Sequence, residues 1–336
     1  MKAAVLTRAN KIEIIEKEMP KIMKPTEVMI CVKVVGICGT DLHIFQGKRN
    51  DVEFPRIMGH ELSGEIVEVG ENVKKLKLND HVIFDPVIAC NTCKICLKGH
   101  KNVCSKVKCF GVQMDGGFQE YIVVDEENVF SYAKTVDFKV AALGEPFSIA
   151  ANILERANVK ASDCMVIIGA GTIGLAILQA AKGMGVKVLI SDVSISKLKY
   201  AQEFGADVVI NTKTESLEDA VEKFSPGGAD VLIDAVGIAP LFEQTLALAA
   251  PTARIVVIGF DGNTANVSPV SITKRELTIV GSRMNCSQFD KVVNWLNQGV
   301  ITDKMISTEY PLSEIQKAFE ETIDNSDIWM KTVIVF

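Results

Sequence analysis

The sequence holds 336 residues, 48% hydrophobic and 23% charged, a globular composition that excludes a disordered, collagen-like or coiled-coil chain. That length suggests two domains at roughly 150 residues each. Lys and Arg total 36 against 42 Asp and Glu, a net charge of −6, and an acidic chain without a basic stripe is a poor nucleic-acid binder.

From the start of the chain to about residue 145, short apolar runs alternate with Gly, Pro, Asn and Asp. Val28–Val34, Leu62–Val69, His81–Phe84 and Tyr121–Val124 read as strands, and such spacing predicts a barrel-like or sandwich domain. Charges run through the opening residues, so no apolar signal core is expected. From about residue 160 strands and helices alternate. The strands are Met165–Gly169, Lys187–Asp192, Asp207–Ile210, Asp230–Val236, Arg254–Gly259 and Leu277–Val280. Helices are expected over Gly171–Met184, Ser194–Phe204, Ser216–Phe224 and Pro240–Ala250. This alternation implies a doubly wound parallel sheet in an α/β protein. Helices at Gln288–Gln298 and Ser313–Asp324 and a final strand at Thr332–Phe336 follow. The longest uncharged stretch, Cys164–Ala181, contains Gly169, Gly171 and Gly174, so a strand, turn and helix are expected there instead of a membrane span.

Nine cysteines accompany only four histidines. In a reducing cytoplasm, where this chain is expected to reside, clustered cysteines serve metals or catalysis more often than disulfides. Cys90-x2-Cys93-x2-Cys96-x7-Cys104 places four thiols in one short loop, a spacing that suits a closed tetrahedral structural zinc site. An iron–sulfur cluster is the alternative occupant. Lys94, Lys98 and Lys101 would offset the site's negative charge. Two further patches, Gly36-Ile37-Cys38-Gly39-Thr40-Asp41-Leu42-His43 and Gly59-His60-Glu61, offer Cys38, His60 and Glu61 as three ligands for a catalytic zinc with one position left open. Gly169-Ala170-Gly171-Thr172-Ile173-Gly174 is a G-x-G-x-x-G turn between an apolar strand and an apolar helix. Its glycines permit a tight turn, close approach of a pyrophosphate, and close helix–strand packing. Asp192 closes the next strand. A carboxylate there accepts bonds from the ribose hydroxyls of NAD and repels the 2′-phosphate of NADP.

Taken together, these motifs resemble the zinc-dependent medium-chain dehydrogenase family over essentially the whole chain. The resemblance rests on Cys38-Gly39-Thr40-Asp41-x-His43, Gly59-His60-Glu61, the four-cysteine loop, Gly116-Gly117-Phe118-Gln119-Glu120-Tyr121, Gly144-Glu145-Pro146 and the glycine turn, in that order. Glu145-Pro146 marks the sorbitol dehydrogenase-like branch, and Gly281-Ser282-Arg283-Met284-Asn285 points to bacterial L-galactonate and L-idonate 5-dehydrogenases and the starvation-sensing RspB type. The resemblance implies a GroES-like catalytic domain from residues 1–146 and 282–336, with a zinc lobe near 86–110. A Rossmann domain over 147–281 is inserted, and the site lies in the cleft. It implies that Cys38, His60 and Glu61 ligate catalytic zinc, and that Asp41 orients His60. Glu145 lies near the open position, as an alternate ligand or through the zinc water. Thr40 takes the proton and His43 relays it to solvent, while Asp192 and Lys197 bind the adenosine ribose. Two zincs per chain, NAD, a polyol or sugar-acid substrate, and a homodimer or homotetramer are expected, with no nucleic-acid or membrane partner.

Arg283 is a candidate fork for a substrate carboxylate. His81 and His100 are expected to be solvent-exposed, and Cys31, Cys109, Cys164 and Cys286 to pack without a ligand role. Val256–Phe260 and Leu277–Val280 are candidate sheet-edge contacts between subunits. Threonine 3-dehydrogenase or 2,3-butanediol dehydrogenase activity is the enzymatic alternative, and a zinc-stabilised NAD-sensing regulator the non-enzymatic one.

Overall fold

The structure is a computed structural model that describes residues 1–259 and 262–336. Phe260, proposed above as part of a subunit contact, lies outside the described residues. The chain forms two compact units, Met1–Ser148 with Asn285–Phe336, and Ile149–Met284.

In the first unit, Lys2–Arg8 and Lys11–Glu16 form an antiparallel hairpin around Asn10, which takes a φ of 62°. The central strand is Glu27–Gly36. It pairs antiparallel with Glu61–Val69 along its length. Its first half pairs with Tyr121–Asp125 and its second half with Lys331–Val335. The last strand of the chain therefore lies beside one of the first. Glu61–Val69 continues to His81–Phe84 and then Val129–Ser131. Ile306–Pro311 runs parallel to Lys331–Val335. Glu27–Gly36 is buried over most of its length, with only Glu27, Cys31 and Lys33 partly exposed, and its β-branched residues suit a packed pleated surface. The core gathers Leu6, Ile30, Val35, Ile66 and Ile334. Phe319, from the helix Ile315–Asp324, packs 5.1 Å from Phe45 and 5.7 Å from Phe118.

The second unit is a six-stranded parallel sheet. Across it run Val208–Asn211, Lys187–Asp192, Cys164–Ile168, Ala229–Asp234, Ala249–Val257 and Thr278–Gly281. Counted along the chain this is the order 3-2-1-4-5-6 of the dinucleotide-binding α/β fold. The central strands Cys164–Ile168 and Ala229–Asp234 are nearly continuous apolar runs because both of their faces are covered.

Three sequence expectations change. The helix expected over Pro240–Ala250 stops at Leu248, and a strand begins at Ala249. Ala249 pairs with Ala229, and the register then jumps to Val231–Arg254, with Thr252 at a φ of 67°. Sheet pairing overrides the helix preference of the alanines. The helix Gly144–Arg156 was not expected. Its Pro146 sits in the first turn, where proline costs no intrahelical hydrogen bond. His81 is not solvent-exposed. It packs 4.3 Å from the ring of Phe138 and 5.9 Å from Tyr132, with Nδ1 buried.

Asp85 shows how the returning segment is fixed. Its Oδ1 accepts bonds from Val87 N (3.0 Å) and from Nδ2 of the buried Asn285 (3.0 Å). Burial pushes its carboxyl up to about 6, against the pull of those two bonds and of Lys101. A folded pKa above the unfolded value near 4 means that ionisation costs stability. The cost is absent below about pH 4, grows between pH 4 and 6, and reaches on the order of 3 kcal/mol above. Asp85→Asn should therefore raise the Tm at pH 8 and change it little at pH 4. Equal shifts at both pH values in thermal denaturation would contradict this account.

Candidate active site and metal centres

The catalytic candidates sit where two strands of the first unit end. Glu27–Gly36 runs into Ile37 and Cys38, and Cys38 caps the helix Gly39–Phe45. Asp41, fully buried, accepts a bond from Cys38 N at 2.9 Å through Oδ2. Its Oδ1 accepts from Gly59 N at 3.3 Å and lies 3.5 Å from His60 Nδ1, longer than a good hydrogen bond. One carboxylate thus ties the Cys38 turn to the His60 turn. Gly36 faces Glu61 across the ladder, and a Cβ on Gly36 would lie 2.3 Å from Glu61 Oε2. Only glycine leaves room for that carboxylate. Ligand atoms of Cys38, His60 and Glu61 lie within 4.8 Å of one another, a spacing that fits one metal ion.

Lys331, which sequence reasoning missed, reaches this trio. Its buried Nζ donates to Glu61 Oε1 at 2.8 Å, to Oε2 at 2.6 Å and to Ile37 O at 3.1 Å. Burial alone would lower its pKa, but Glu61, Cys38 and Glu145 outweigh burial and raise it, so Lys331 is a cation. Burial likewise disfavours charge on His60, and Asp41 and Cys38 reverse that, raising its pKa well above the usual histidine value. A metal must displace that proton.

Glu145 lies on the first turn of Gly144–Arg156 and keeps some accessible surface. Desolvation of its carboxyl still pushes it up to about 7, opposed by His60 and Lys331 and reinforced by Glu61 and Asp85. Glu145 thus lies within electrostatic reach of His60 and Glu61. Thr40 is half-buried on the first turn of Gly39–Phe45, and His43 is exposed three residues on. Cys109, read from the sequence as inert, is also part of these surroundings. Burial pushes its thiol up to about 12, with His60, Glu145, Asp41 and Asp85 all within electrostatic reach.

The four-cysteine loop closes on itself. Sγ–Sγ separations are 3.5 Å for Cys93–Cys96 and Cys90–Cys104, and 3.9 Å for Cys90–Cys96 and Cys93–Cys104. A tetrahedron of thiolates about 2.3 Å from zinc has edges of roughly 3.8 Å, so the donor set fits. Bonds from the amide and hydroxyl of Thr92 and the amide of Cys93 draw Cys90 down to about 5. None of the nine cysteines is in a disulfide.

In the second unit the strand Cys164–Ile168 enters the glycine turn and the helix Thr172–Gly183 leaves it, with Gly171 at the N-cap. A Cβ on Gly174 would lie 1.9 Å from Gly169 O, so this close helix–strand contact requires glycine. Asp192 is already engaged: Oδ2 accepts from Ala170 N at 2.7 Å and Oδ1 from Ser194 N at 2.8 Å. Lys197 is half-buried on the helix that follows. Arg283 is exposed near the end of this unit.

The chain also resembles known proteins along its whole length. Residues 24–134 match the alcohol dehydrogenase GroES-like domain and residues 172–298 the zinc-binding dehydrogenase domain. The starvation-sensing protein RspB of Escherichia coli is 36% identical, over 95% of this chain and 94% of its own. L-galactonate-5-dehydrogenase of Escherichia coli is 33% identical, over 96% and 95%. A crystal structure of an Escherichia coli rspB alcohol dehydrogenase with NADH superposes with a TM-score of 0.94 at 34% identity, covering 100% of this chain and 99% of that one. The chain belongs to the zinc-binding alcohol dehydrogenase family, in its sorbitol dehydrogenase-like branch. It is an oxidoreductase of the alcohol dehydrogenase type. No helix among the described residues is long and apolar enough to cross a membrane.

Two measurements test the site. Removing one partner of a buried ion pair costs about 3–5 kcal/mol, so Lys331→Met should sharply lower the Tm of chelator-treated protein. The loss should be smaller after zinc is restored, because Glu61 then has another cation; the same loss in both states would exclude a shared carboxylate. In metal analysis the protein should hold two zincs per chain, and Cys93→Ser should hold one, with reduced thermal stability.

Proposed function

We propose that the protein oxidises a secondary alcohol of a polyol or sugar acid to a ketone with NAD. The observation that carries this reading is the Cys38–His60–Glu61 trio, whose ligand atoms lie within 4.8 Å of one another, with Glu145 within electrostatic reach and Thr40 and His43 on the helix that Cys38 caps. Held there, zinc would supply a Lewis acid that eases loss of the alcohol proton, and NAD on the Gly169–Gly174 turn would supply the hydride acceptor. The protein's own groups do the rest. Asp41 fixes the two ligand-bearing turns. Glu145 stands near the position left for the alcohol oxygen. Thr40 accepts the alcohol's proton at its hydroxyl as it gives up its own, and His43, exposed on the same helix, passes a proton on to solvent. In this reading the catalytic domain is 1–146 with 282–336, and the NAD domain is 147–281.

NAD is favoured over NADP by Asp192. Each of its oxygens accepts one amide bond and retains a lone pair for a ribose hydroxyl, while its charge repels a 2′-phosphate. Lys197 and Thr172, Ile173 and the turn glycines complete that contact. Arg283 remains a candidate for a substrate carboxylate. Nine cysteines without a disulfide support residence in the reducing cytoplasm. The edge strand Thr278–Gly281 leaves a ladder open for a homodimer or homotetramer.

A screen of NAD reduction at pH about 9 across hexonates, hexitols, threonine and 2,3-butanediol should find turnover among the first two classes. Preference for threonine or butanediol would reassign the substrate, and none at all would point to an NAD sensor. Cys38→Ser should abolish turnover while NADH binding, read by fluorescence, persists. Surviving turnover would refute the metal assignment. Light scattering should show an oligomer; a concentration-independent monomer would end that part of the reading.

A further inference from the structure

Arg49 follows the helix that Cys38 caps, and it is held in an unusual way. Its Nε donates to Asp51 Oδ1 at 2.8 Å and its Nη2 to Oδ2 at 2.6 Å, so one edge of the guanidinium is clamped by a bidentate carboxylate. Asp51 is fixed in turn: its Oδ2 accepts from Gln113 Nε2 at 2.9 Å. Gln113 Oε1 accepts from Cys109 N at 3.0 Å. The turn that Cys109 and Gln113 close packs against the residue before His60: a Cβ on Gly111 would lie 2.8 Å from Gly59 N. A continuous series of bonds therefore runs from the backbone beside the metal trio to Arg49.

The side chain is 30% exposed, so it is neither a core group nor a freely solvated one. The bond to Asp51 holds it charged against partial burial. Arg49 follows Lys48, whose amide donates to His43 O at 2.9 Å, so it sits against the helix that Cys38 caps. Among the described residues no group occupies its other edge, formed by Nη1 and the second Nη2 proton. Two carboxylates can bind opposite edges of one guanidinium, because its five N–H donors are fixed in a plane. A fork with one edge locked and the other open has lost most of its rotamer freedom in advance, and it can take an anion at low entropic cost.

We propose that Arg49 reads an anionic end of the substrate, with Asp51 and Gln113 as positioning residues, so that the site prefers a sugar acid to the matching neutral polyol. This rests on the proposed polyol or sugar-acid reading and narrows it. A carboxylate on the chain of the substrate meets the open edge of Arg49 while the carbinol end lies at Cys38, His60 and Glu61. Arg283, which the sequence brought forward for the same task, becomes the control.

The test compares kcat and KM for L-galactonate and galactitol, which differ at one end as carboxylate and hydroxymethyl. The wild type should favour L-galactonate. In Arg49→Gln the ratio of kcat/KM for L-galactonate over galactitol should fall about 10- to 100-fold, carried by KM. Arg49→Lys should restore part of it, since the charge returns without the fork. Gln113→Leu should lower the same ratio by a smaller factor, and it decides the matter should Arg49→Gln fail to fold. Equal losses on both substrates, or a selective loss in Arg283→Gln with none in Arg49→Gln, would overturn the proposal. A wild type that prefers galactitol overturns it too, yet leaves the polyol reading standing. Turnover of neither compound removes both.

Discussion

One carboxylate answers to two cations in this molecule. Glu61 is buried against Lys331 and stands within metal-ligand distance of Cys38 and His60. A buried charge is tolerable only when paired and hydrogen-bonded. That requirement fixes the strand Lys331–Val335 beside Glu27–Gly36, demands glycine at position 36, and gathers the trio at one end of the ladder. The site's charge balance follows. With Cys38 as thiolate, Glu61 and Asp41 ionised, and Lys331 cationic, a divalent ion brings the group close to neutrality. Burial pushes the carboxyl of Glu145 up to about 7, and shifted carboxyls are common at functional sites.

Other parts of the structure serve the same end by shorter routes. The zinc lobe is closed by local spacing alone, and its thiol geometry already matches a tetrahedron. Asp192 closes the glycine turn through backbone amides before any ligand arrives. A group that sequence logic assigns to a ligand is thus also part of the scaffold. The two roles are compatible because a carboxylate has more lone pairs than the turn consumes.

What the sequence disclosed was whatever lies close along the chain. The four-cysteine loop and the glycine turn each lie within one short stretch, and the alternation of strand and helix is read one short element at a time. The types at Cys38, His60 and Glu61 were legible, but their meeting was inferred from family likeness. Lys331 was not legible: it is 270 residues from Glu61, and nothing marks it except one charge heading an apolar strand. Arg49 and Cys109 were passed over because their significance lies in bonds through Asp51 and Gln113. Ala249 and Ala250 misled because alanine favours helices, and Gly144-Glu145-Pro146 because its proline reads as a breaker. His81 misled because its neighbours in sequence are charged while its neighbours in space are aromatic.

The place of Lys331 also bears on how the chain matures during synthesis. Residues 149–284 contain every strand of their sheet and can close as soon as they leave the ribosome, whereas the first unit lacks Ile306–Pro311 and Lys331–Val335 until those residues are made. Until then Glu61 has no lysine, and the second half of Glu27–Gly36 has an open ladder on one side. The unit begun first is completed last. The nascent protein must hold an unfinished sheet edge and an uncompensated acid through the making of nearly 300 residues, so the interval of greatest exposure to misassembly is set by chain connectivity and not by intrinsic folding speed.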